Sequence, residues 1–454
     1  MGNSRKPSSS DLPARVAAAI APAASPGAHL VVGLSGGMDS VALLSVLVRL
    51  APDMAFSLRA VHVDHGISPN SGDWARFCSR LCARLAIPLQ VEAVEISPFR
   101  ALGLEGAARK ARYEALSRID ADFLVLAQHR DDQAETLLLR LLRGAGLRGL
   151  AAMSPMRALA GSRAKVLRPL LAVPRAEIEV YAREQGLEWI EDESNADTVR
   201  QRNFIRHEIV PALEAQFPAA RAAIARAAAN LGEARELLDA MAQGDLESCG
   251  EGATVDIPAL LRLGEARAKN VLRYWCDAHD IEPLSAARLT ELLRQLRASR
   301  LDAQTSLEAG GWSFLCYRDR LYLQPAAPVS RPDLNEVWNG ENALPLLGLG
   351  GVLKFKPEEG RGLSADRLRT GRVTVRLRRG GERLRLDQRR PRRTLKNLFQ
   401  ERGIPPWRRD RLPLVYCGES LVSVPGIGDD CEFRAQPGEA GLIVTWEPLG
   451  QKPG

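Results

Sequence analysis

The sequence predicts an α/β protein: a first region built on a parallel sheet, a mainly helical middle region, and a small mixed α+β region at the C-terminal end. Three observations predict it. Over the first ~215 residues, short apolar runs alternate with helical segments of about 10–15 residues, as βαβ crossovers require. After Pro169 that alternation stops and alanine- and leucine-rich helical stretches take over. The charge also changes along the chain. Residues 372–411 hold 15 Lys and Arg against 4 Asp and Glu, a surplus of 11, whereas all 454 residues sum to only +7; the remainder is net acidic by 4. A chain that is 45% apolar and 26% charged can bury real cores, in about two to four domains. Apolar runs such as Val41–Val48 fall far short of the ~20 residues of a membrane helix. Seven cysteines, sparse and odd in number, fit a reducing cytoplasm better than a secreted disulfide scaffold.

Residues 1–27 are Ser-, Pro- and Ala-rich, and we expect a loose arm with a short helix near Val16–Ala24 rather than an export signal. Then come a strand at His29–Leu34, a buried helix at Asp39–Leu50, a strand at Leu58–Val63, a helix at Asp73–Leu85, and a strand at Leu89–Ile96. A helix at Leu104–Arg118, a strand at Asp122–Ala127 and a helix at Asp131–Arg143 complete the alternation. We place the first domain at 28–217. Helices at Arg175–Gln185 and Arg202–Phe217 close it, and an alanine-rich helix at Ala219–Gln243 opens a middle domain at 218–330 that ends in a hairpin, GGWSFLCYRDRLYLQP. Pro325, Pro328 and Pro332 mark a linker, 331–361. The last domain, 362–454, has a strand at Arg372–Leu377, a short helix at Thr394–Glu401 and a hairpin at Leu414–Val424.

The segment HLVVGL-SGGMDS-VALL, residues 29–44, carries the most chemistry. A strand enters a glycine turn and a helix leaves it. Gly36 and Gly37 permit backbone conformations that a Cβ forbids, so their amides can face an anion at a positive helix end. Ser35 and Ser40 add hydroxyls. Asp39 repels bare phosphate but suits a Mg²⁺ held by phosphate. No Gly-x-x-x-x-Gly-Lys-Ser/Thr occurs, so this is not a Walker-type loop. Further on, Glu105, Arg109 and Arg112 share one helical face, and His129, Asp132 and Glu135 point one way from a helix start. His62, Asp64 and His65 look like a metal trio, but a strand sends alternate side chains to opposite faces; we expect packing around a base there instead. Gly144–Gly149 matches G-x-G-x-x-G but follows a helix, so a dinucleotide site fails its own context test.

SGGMDS after an apolar strand resembles the PP-loop, or N-type ATP pyrophosphatase, family (an adenine nucleotide alpha hydrolase-like fold). Combined with HVDHG (62–66), LEGAARKARYEAL (104–116), AQHRDDQAETLLLRLLRGAGLRGL (127–150), RPLL (168–171), WIEDESN and RNFIRHEIVP (within 189–211) and the basic tail RRTLKNLFQERGIPPWRRDRLPLVY (392–416), it resembles the tRNA(Ile)-lysidine synthetase family over nearly the whole chain. The resemblance implies that 28–217 is the catalytic domain, that 218–330 and 362–454 bind tRNA, and that the partners are L-lysine and a tRNA(Ile) with CAU anticodon. It leaves room for a homodimer. The implied reaction uses ATP and Mg²⁺: the C2 oxygen of cytidine-34 attacks the α-phosphate, and the lysine ε-amine then displaces AMP, giving lysidine. Ser35, Gly36, Gly37, Met38, Asp39 and Ser40, with Val63 and Ala127 at neighbouring strand ends, would hold the nucleotide. Asp39 and Asp132 are the metal carboxylates. Arg109 and Arg112 are phosphate partners.

An ε-amine of pKa about 10.4 is only about one part in a thousand neutral near pH 7.4, a cost of roughly 4 kcal/mol. His129 and Glu135 are the candidates for accepting its proton. Trp407, among the tail arginines, is a candidate platform for a stacked base. Two other classes compete. RNA 2-thiolases share the loop but need reactive cysteines, and no cysteine lies near it in sequence; a non-catalytic RNA-binding protein would have no need of an intact Ser35–Ser40 turn.

Overall fold

The computed structural model describes residues 11–193, 197–250, 254–279, 281, 284–298, 306–309, 311–326 and 334–448, without the side chains of 100–102, 104, 105, 306 and 309. The chain divides into two compact units, Met1–Gly244 and Asp245–Gly454.

The first unit is the α/β domain. Helix α1 (Asp11–Ile20) precedes β1 (His29–Gly33), α2 (Met38–Met54), β2 (Ser57–Asp64), α3 (Ser71–Arg84), β3 (Leu89–Ala93), α4 (Gly103–Ser117), β4 (Phe123–Val125) and α5 (Arg130–Leu142). A short helix α6 (Leu147–Leu150), β5 (Met156–Ala158), β6 (Lys165–Leu167) and α7 (Arg175–Glu184) follow. The six strands lie in the order β3-β2-β1-β4-β6-β5, all pairs parallel except β5 against β6. The chain leaves β1 toward β2 on one side, while β4 pairs on the other. The carboxyl end of β1 is therefore a switch point, where open α/β sheets place ligands.

The two faces of the sheet bury different helices. Leu30, Val32 and Leu34 of the β1 region pack with α2, α3 and α7. Val31, Val61, Leu124 and Val166 point the other way, against Leu116 and Ile119 at the end of α4. This is the two-residue alternation of a strand covered on both sides. The expected loose arm is corrected for α1: Leu12, Val16 and Ile20, spaced four apart, bury one stripe against the first face, and Arg15 pairs with Glu177 at 2.5 Å.

After α7 come α8 (Gln201–Phe204), one π-helical turn at Ile205–Ile209, and α9 (Val210–Gln216). The 30-residue α10 (Ala220–Cys249) contains the division between units.

In the second unit, helices at Ile257–Arg262, Glu265–Ala278 and Ala286–Ala298 share a core with a four-stranded sheet. The expected hairpin is there: Trp312–Tyr317 pairs with Arg320–Pro325 through Arg318 and Asp319, both at positive φ. The expected linker is corrected. Strands Asn335–Val337, Ala343–Leu346 and Gly351–Pro357 lie within 331–361, and Leu346, Leu353 and Phe355 are buried in the C-terminal core. The alternation in GVLKFKP carries a strand there despite the prolines nearby. Pro328 and Pro332 fall outside the described residues. The C-terminal region is antiparallel, with five- and four-stranded sheets. Among the described residues no helix is long and apolar enough to cross a membrane.

Candidate nucleotide and catalytic site

The turn between β1 and α2 holds itself in shape. Gly36 has φ +86°, a backbone that favours glycine, and a Cβ there would also displace Ile190 Cδ1, 2.8 Å away. Ile190 N–H donates to Gly36 O at 2.9 Å and ties a distant loop to the turn. Gly37 is ordinary extended backbone, φ −72°, and is the N-cap of α2 without a side-chain cap bond. First-turn amides have no partner within a helix, so this end of α2 can receive an anion. The Ser40 hydroxyl donates to Gly37 O (2.9 Å) and lies 3.1 Å from the Ser35 hydroxyl, while Ser35 N–H donates to Ser40 Oγ at 3.2 Å. Ser40 thus staples the turn from beneath. Met38 is buried in the core and offers the site only backbone. Val63 and Ala127 are half-buried at the ends of the strands flanking β1.

Asp39 stands on the first turn of α2. Its Oδ2 lies 3.6 Å from His129 Nε2, and its Oδ1 is buried without a hydrogen-bond partner; the nearest cation to Oδ1 is Arg175 Nε at 3.9 Å. His129 is the N-cap of α5. Its Nδ1 accepts from Asp132 N–H (3.4 Å), and its own N–H donates to Asp132 Oδ2 (3.0 Å), a reciprocal capping box. That bond fixes the neutral tautomer with the proton on Nε2, facing Asp39. Burial opposes an imidazolium here, but the carboxylates of Asp39 and Asp132 outweigh it and raise the His129 pKa above its ordinary value.

Asp132 and Glu135, three apart on α5, meet two arginines that the residue-by-residue sequence analysis did not assign. Arg202 donates Nε to Glu135 (2.9 Å) and Nη2 to Asp132 (2.8 Å). Arg206 donates Nε (2.6 Å) and Nη2 (3.0 Å) to Glu135 and reaches Asp132 at 3.4 Å. Two carboxylates and two guanidiniums close one network, with Glu135 only 3% exposed. The available signal was RNFIR itself: two arginines four apart match two acids three apart on a second helix. Asp131, beside them, is tied instead to Arg221 at 2.7 Å.

Arg112 Nε donates to His65 Nε2 at 3.4 Å. Burial, Arg112 and His62 push the His65 imidazole down to about 4 against the pull of Asp64. Arg109 lies over the Tyr113 ring at 5.2 Å, away from these carboxylates. Glu105, expected on the same face, has its side chain outside the described residues, as do Ser194 and Asn195 of the DESN segment. His62 Nδ1 is bonded to Leu34 O (2.8 Å) beneath the turn. Cys78 also packs under the loop, 3.9 Å from Leu34 O, although it is remote in sequence; burial pushes its thiol up to about 12, which disfavours the thiolate. Among the described residues no three His, Cys, Asp or Glu side chains are placed to hold a metal by themselves.

In the second unit Trp407 is not a free platform. It packs edge-on against Tyr322 (5.4 Å) and Tyr317 (6.3 Å), while Arg409 donates to the Tyr317 hydroxyl at 3.0 Å. Much of the tail's positive charge is paired internally: Arg385 and Arg392 with Glu432, Arg376 with Glu419, and Arg393 with Glu401.

A parallel sheet, a glycine turn at its switch point, and an acidic first helical turn define a PP-loop protein. Residues 9–213 match the PP-loop domain family, 256–322 the TilS substrate binding domain, and 373–446 the TilS substrate C-terminal domain. The chain is 44% identical to the tRNA(Ile)-lysidine synthase of Nitrosomonas europaea over 93% of each chain. It is 43% identical to that of Aromatoleum aromaticum, over 94% of this chain and 99% of the other, and 36% identical to that of Coxiella burnetii, over 92% and 93%. The chain belongs to the tRNA(Ile)-lysidine synthase family.

Proposed function

We propose that this chain ligates L-lysine to C2 of cytidine-34 in a tRNA(Ile) with CAU anticodon, using ATP and releasing AMP and pyrophosphate in the cytoplasm. In the first step the cytosine O2 attacks the α-phosphorus and the bond to the β-phosphate breaks. In the second, the neutral ε-amine attacks C2 and the C2–O bond breaks, freeing AMP.

One observation carries this reading. Asp39, beside an anion-receiving helix end, keeps a buried carboxylate oxygen without a hydrogen-bond partner. A buried orphan acceptor is costly and calls for a ligand. Mg²⁺ fits it, with phosphate oxygens completing the shell; Asp132, expected as a second metal carboxylate, already accepts from Arg202, Arg206 and the His129 N–H with its two oxygens, so Asp39 is the carboxylate left for the ion. When bound, the ion would offset charge growing on the pyrophosphate. The turn amides of Gly36 and Gly37 receive phosphate oxygens, and Val63 and Ala127 border the base.

His129 Nδ1 accepts from Asp132 N–H while its Nε2 faces the Asp39 and Asp132 carboxylates at 3.6 Å, and both Glu135 oxygens accept from arginines. We therefore assign His129 to orienting Asp39, and Glu135 to fixing Arg202 and Arg206. Arg112, oriented by His65, faces the reacting phosphates. We read 28–217 as the catalytic domain and the exposed tail arginines as backbone contacts to tRNA.

Incubation of the protein with a CAU-anticodon transcript, α-labelled ATP and lysine should give AMP in step with lysidine detected by nucleoside mass spectrometry. ADP in place of AMP, or AMP formation indifferent to the transcript, would refute the proposal.

A further inference from the structure

Arg109 sits in company that the sequence did not reveal. Three elements deliver guanidiniums to the Tyr113 side chain of α4: Arg109 one turn earlier on α4, Arg157 on the edge strand β5, and Arg168 just beyond β6. Arg109 and Arg157 lie over the ring at 5.2 and 4.9 Å, and Arg168 Nη2 reaches the hydroxyl at 3.5 Å. Arg168 is 3% exposed, yet its other partners are neutral: Gln128 Oε1 at 3.0 Å and Ser154 O at 2.8 Å. Arg140, on α5, likewise holds only the carbonyls of Gly149 and Ala152, each at 2.7 Å.

Among the described residues none of Arg109, Arg140, Arg157 and Arg168 forms an ion pair with a carboxylate. This is the opposite of Arg202 and Arg206, whose two charges are matched by Asp132 and Glu135. Burial lowers the Arg140 pKa, and Arg109, Arg157 and Arg168 lower it further; the same three arginines outweigh burial at Tyr113 and lower its pKa. Like charges gathered without a counterion are destabilising, so their retention points to an anion that arrives from outside.

Rested on the lysidine reading above, we infer that this cluster binds a phosphodiester of the RNA substrate, separate from the triphosphate held at the β1–α2 turn. Two observations select that ligand. The cluster's arginines bond Tyr113, Gln128 and the carbonyls of Gly149, Ala152 and Ser154, and none of these partners belongs to the Ser35–Ser40 turn. Arg109 and Arg157 are exposed, so the site opens outward, where a polymer can lie across it. Guanidinium forks match phosphate oxygens, and such contacts set the register of a nucleic acid on its protein.

The test uses the full chain and Arg157, which is exposed on an edge strand and lies outside the catalytic network. Binding of the CAU-anticodon transcript is measured without ATP or lysine between 50 and 200 mM salt, for the wild type, Arg157→Gln and Arg157→Lys. One lost single-strand contact flattens the slope of log K against log salt by about 0.7, which is about fivefold in affinity at 0.1 M salt. Arg157→Gln should show both changes, and Arg157→Lys should keep the wild-type slope. A wild type that binds while Arg157→Gln matches it in affinity and slope overturns the cluster alone. So does an Arg157→Gln protein changed only in its KM for lysine or in its inhibition by pyrophosphate. A wild type that does not bind the transcript overturns the lysidine reading together with this one.

Discussion

Replacing Glu135 by Gln separates a positioning role from a chemical one. In the wild type the Glu135 carboxylate accepts three N–H groups, at 2.6, 2.9 and 3.0 Å, from Arg206 and Arg202. Glutamine keeps the shape but turns one acceptor into a donor that faces guanidinium donors. It also leaves two half-enclosed cations sharing Asp132 alone. Breaking a buried pair costs about 3–5 kcal/mol. Because each arginine retains Asp132 and some solvent, the lower end applies, about 3 kcal/mol. At about 2–4 °C per kcal/mol for a domain of this size, the α/β unit should melt about 6–12 °C lower. Urea denaturation should show a lower midpoint at unchanged m. Adding Arg206→Ala should cost much less in the Gln background than in the wild type, since the partner is already lost. A Glu135→Gln protein that melts with the wild type, loses most lysidine formation, and loses the acidic limb of the pH–rate profile of its residual activity would refute the reasoning. That result would make Glu135 the group that takes the lysine proton.

Asp39→Asn should abolish AMP formation with the fold intact. The wild type should gain thermal stability from MgATP and the variant should not, because only a ligand that binds the native state raises its melting temperature. Gly36→Ala should destabilise by at least about 1–2 kcal/mol through its left-handed backbone alone, whereas Gly37→Ala, whose Cβ would sit 3.5 Å from Ser35 Oγ, should melt with the wild type; equal melting temperatures for the two variants would contradict the turn geometry. His65 stays neutral down to about pH 4 in the folded protein against about 6.5 unfolded, so the unfolded chain binds the extra proton in that window. Its contribution is present above pH 6.5 and lost as pH falls toward 4, and His65→Asn should flatten that acid arm in melts taken at pH 5 and pH 7.

What could be read in advance was local. The strand, glycine turn and acidic helix start at 29–44 need only near neighbours, and the structure builds them from the same residues. The strands Met156–Ala158 and Lys165–Leu167 went unseen because three residues display no period. The stretch at 334–357 looked like a linker because its composition outweighed its alternation. Trp407 reads as a candidate platform for a stacked base because the rings it packs against, Tyr317 and Tyr322, lie some 90 residues earlier. Cys78 under the loop is the same case, reached through α3 rather than along the chain.

The arginines show why the remainder had to wait for the fold. In the sequence Arg202, Arg168 and Arg385 carry equal charge. In the structure the first is matched by Asp132 and Glu135, the second meets only neutral oxygens, and the third shares Glu432 with Arg392. A surplus of 11 in the tail therefore overstates the charge available to a polyanion. The carboxylate-free cluster at Tyr113 was hidden by the net acidity of the other residues. Affinity for RNA follows unmatched cations rather than counted ones, since a guanidinium already paired with a carboxylate must give up that partner before it gains a phosphate. On that ground, neutralising Arg157 should weaken RNA binding more than neutralising Arg376, whose charge already answers Glu419.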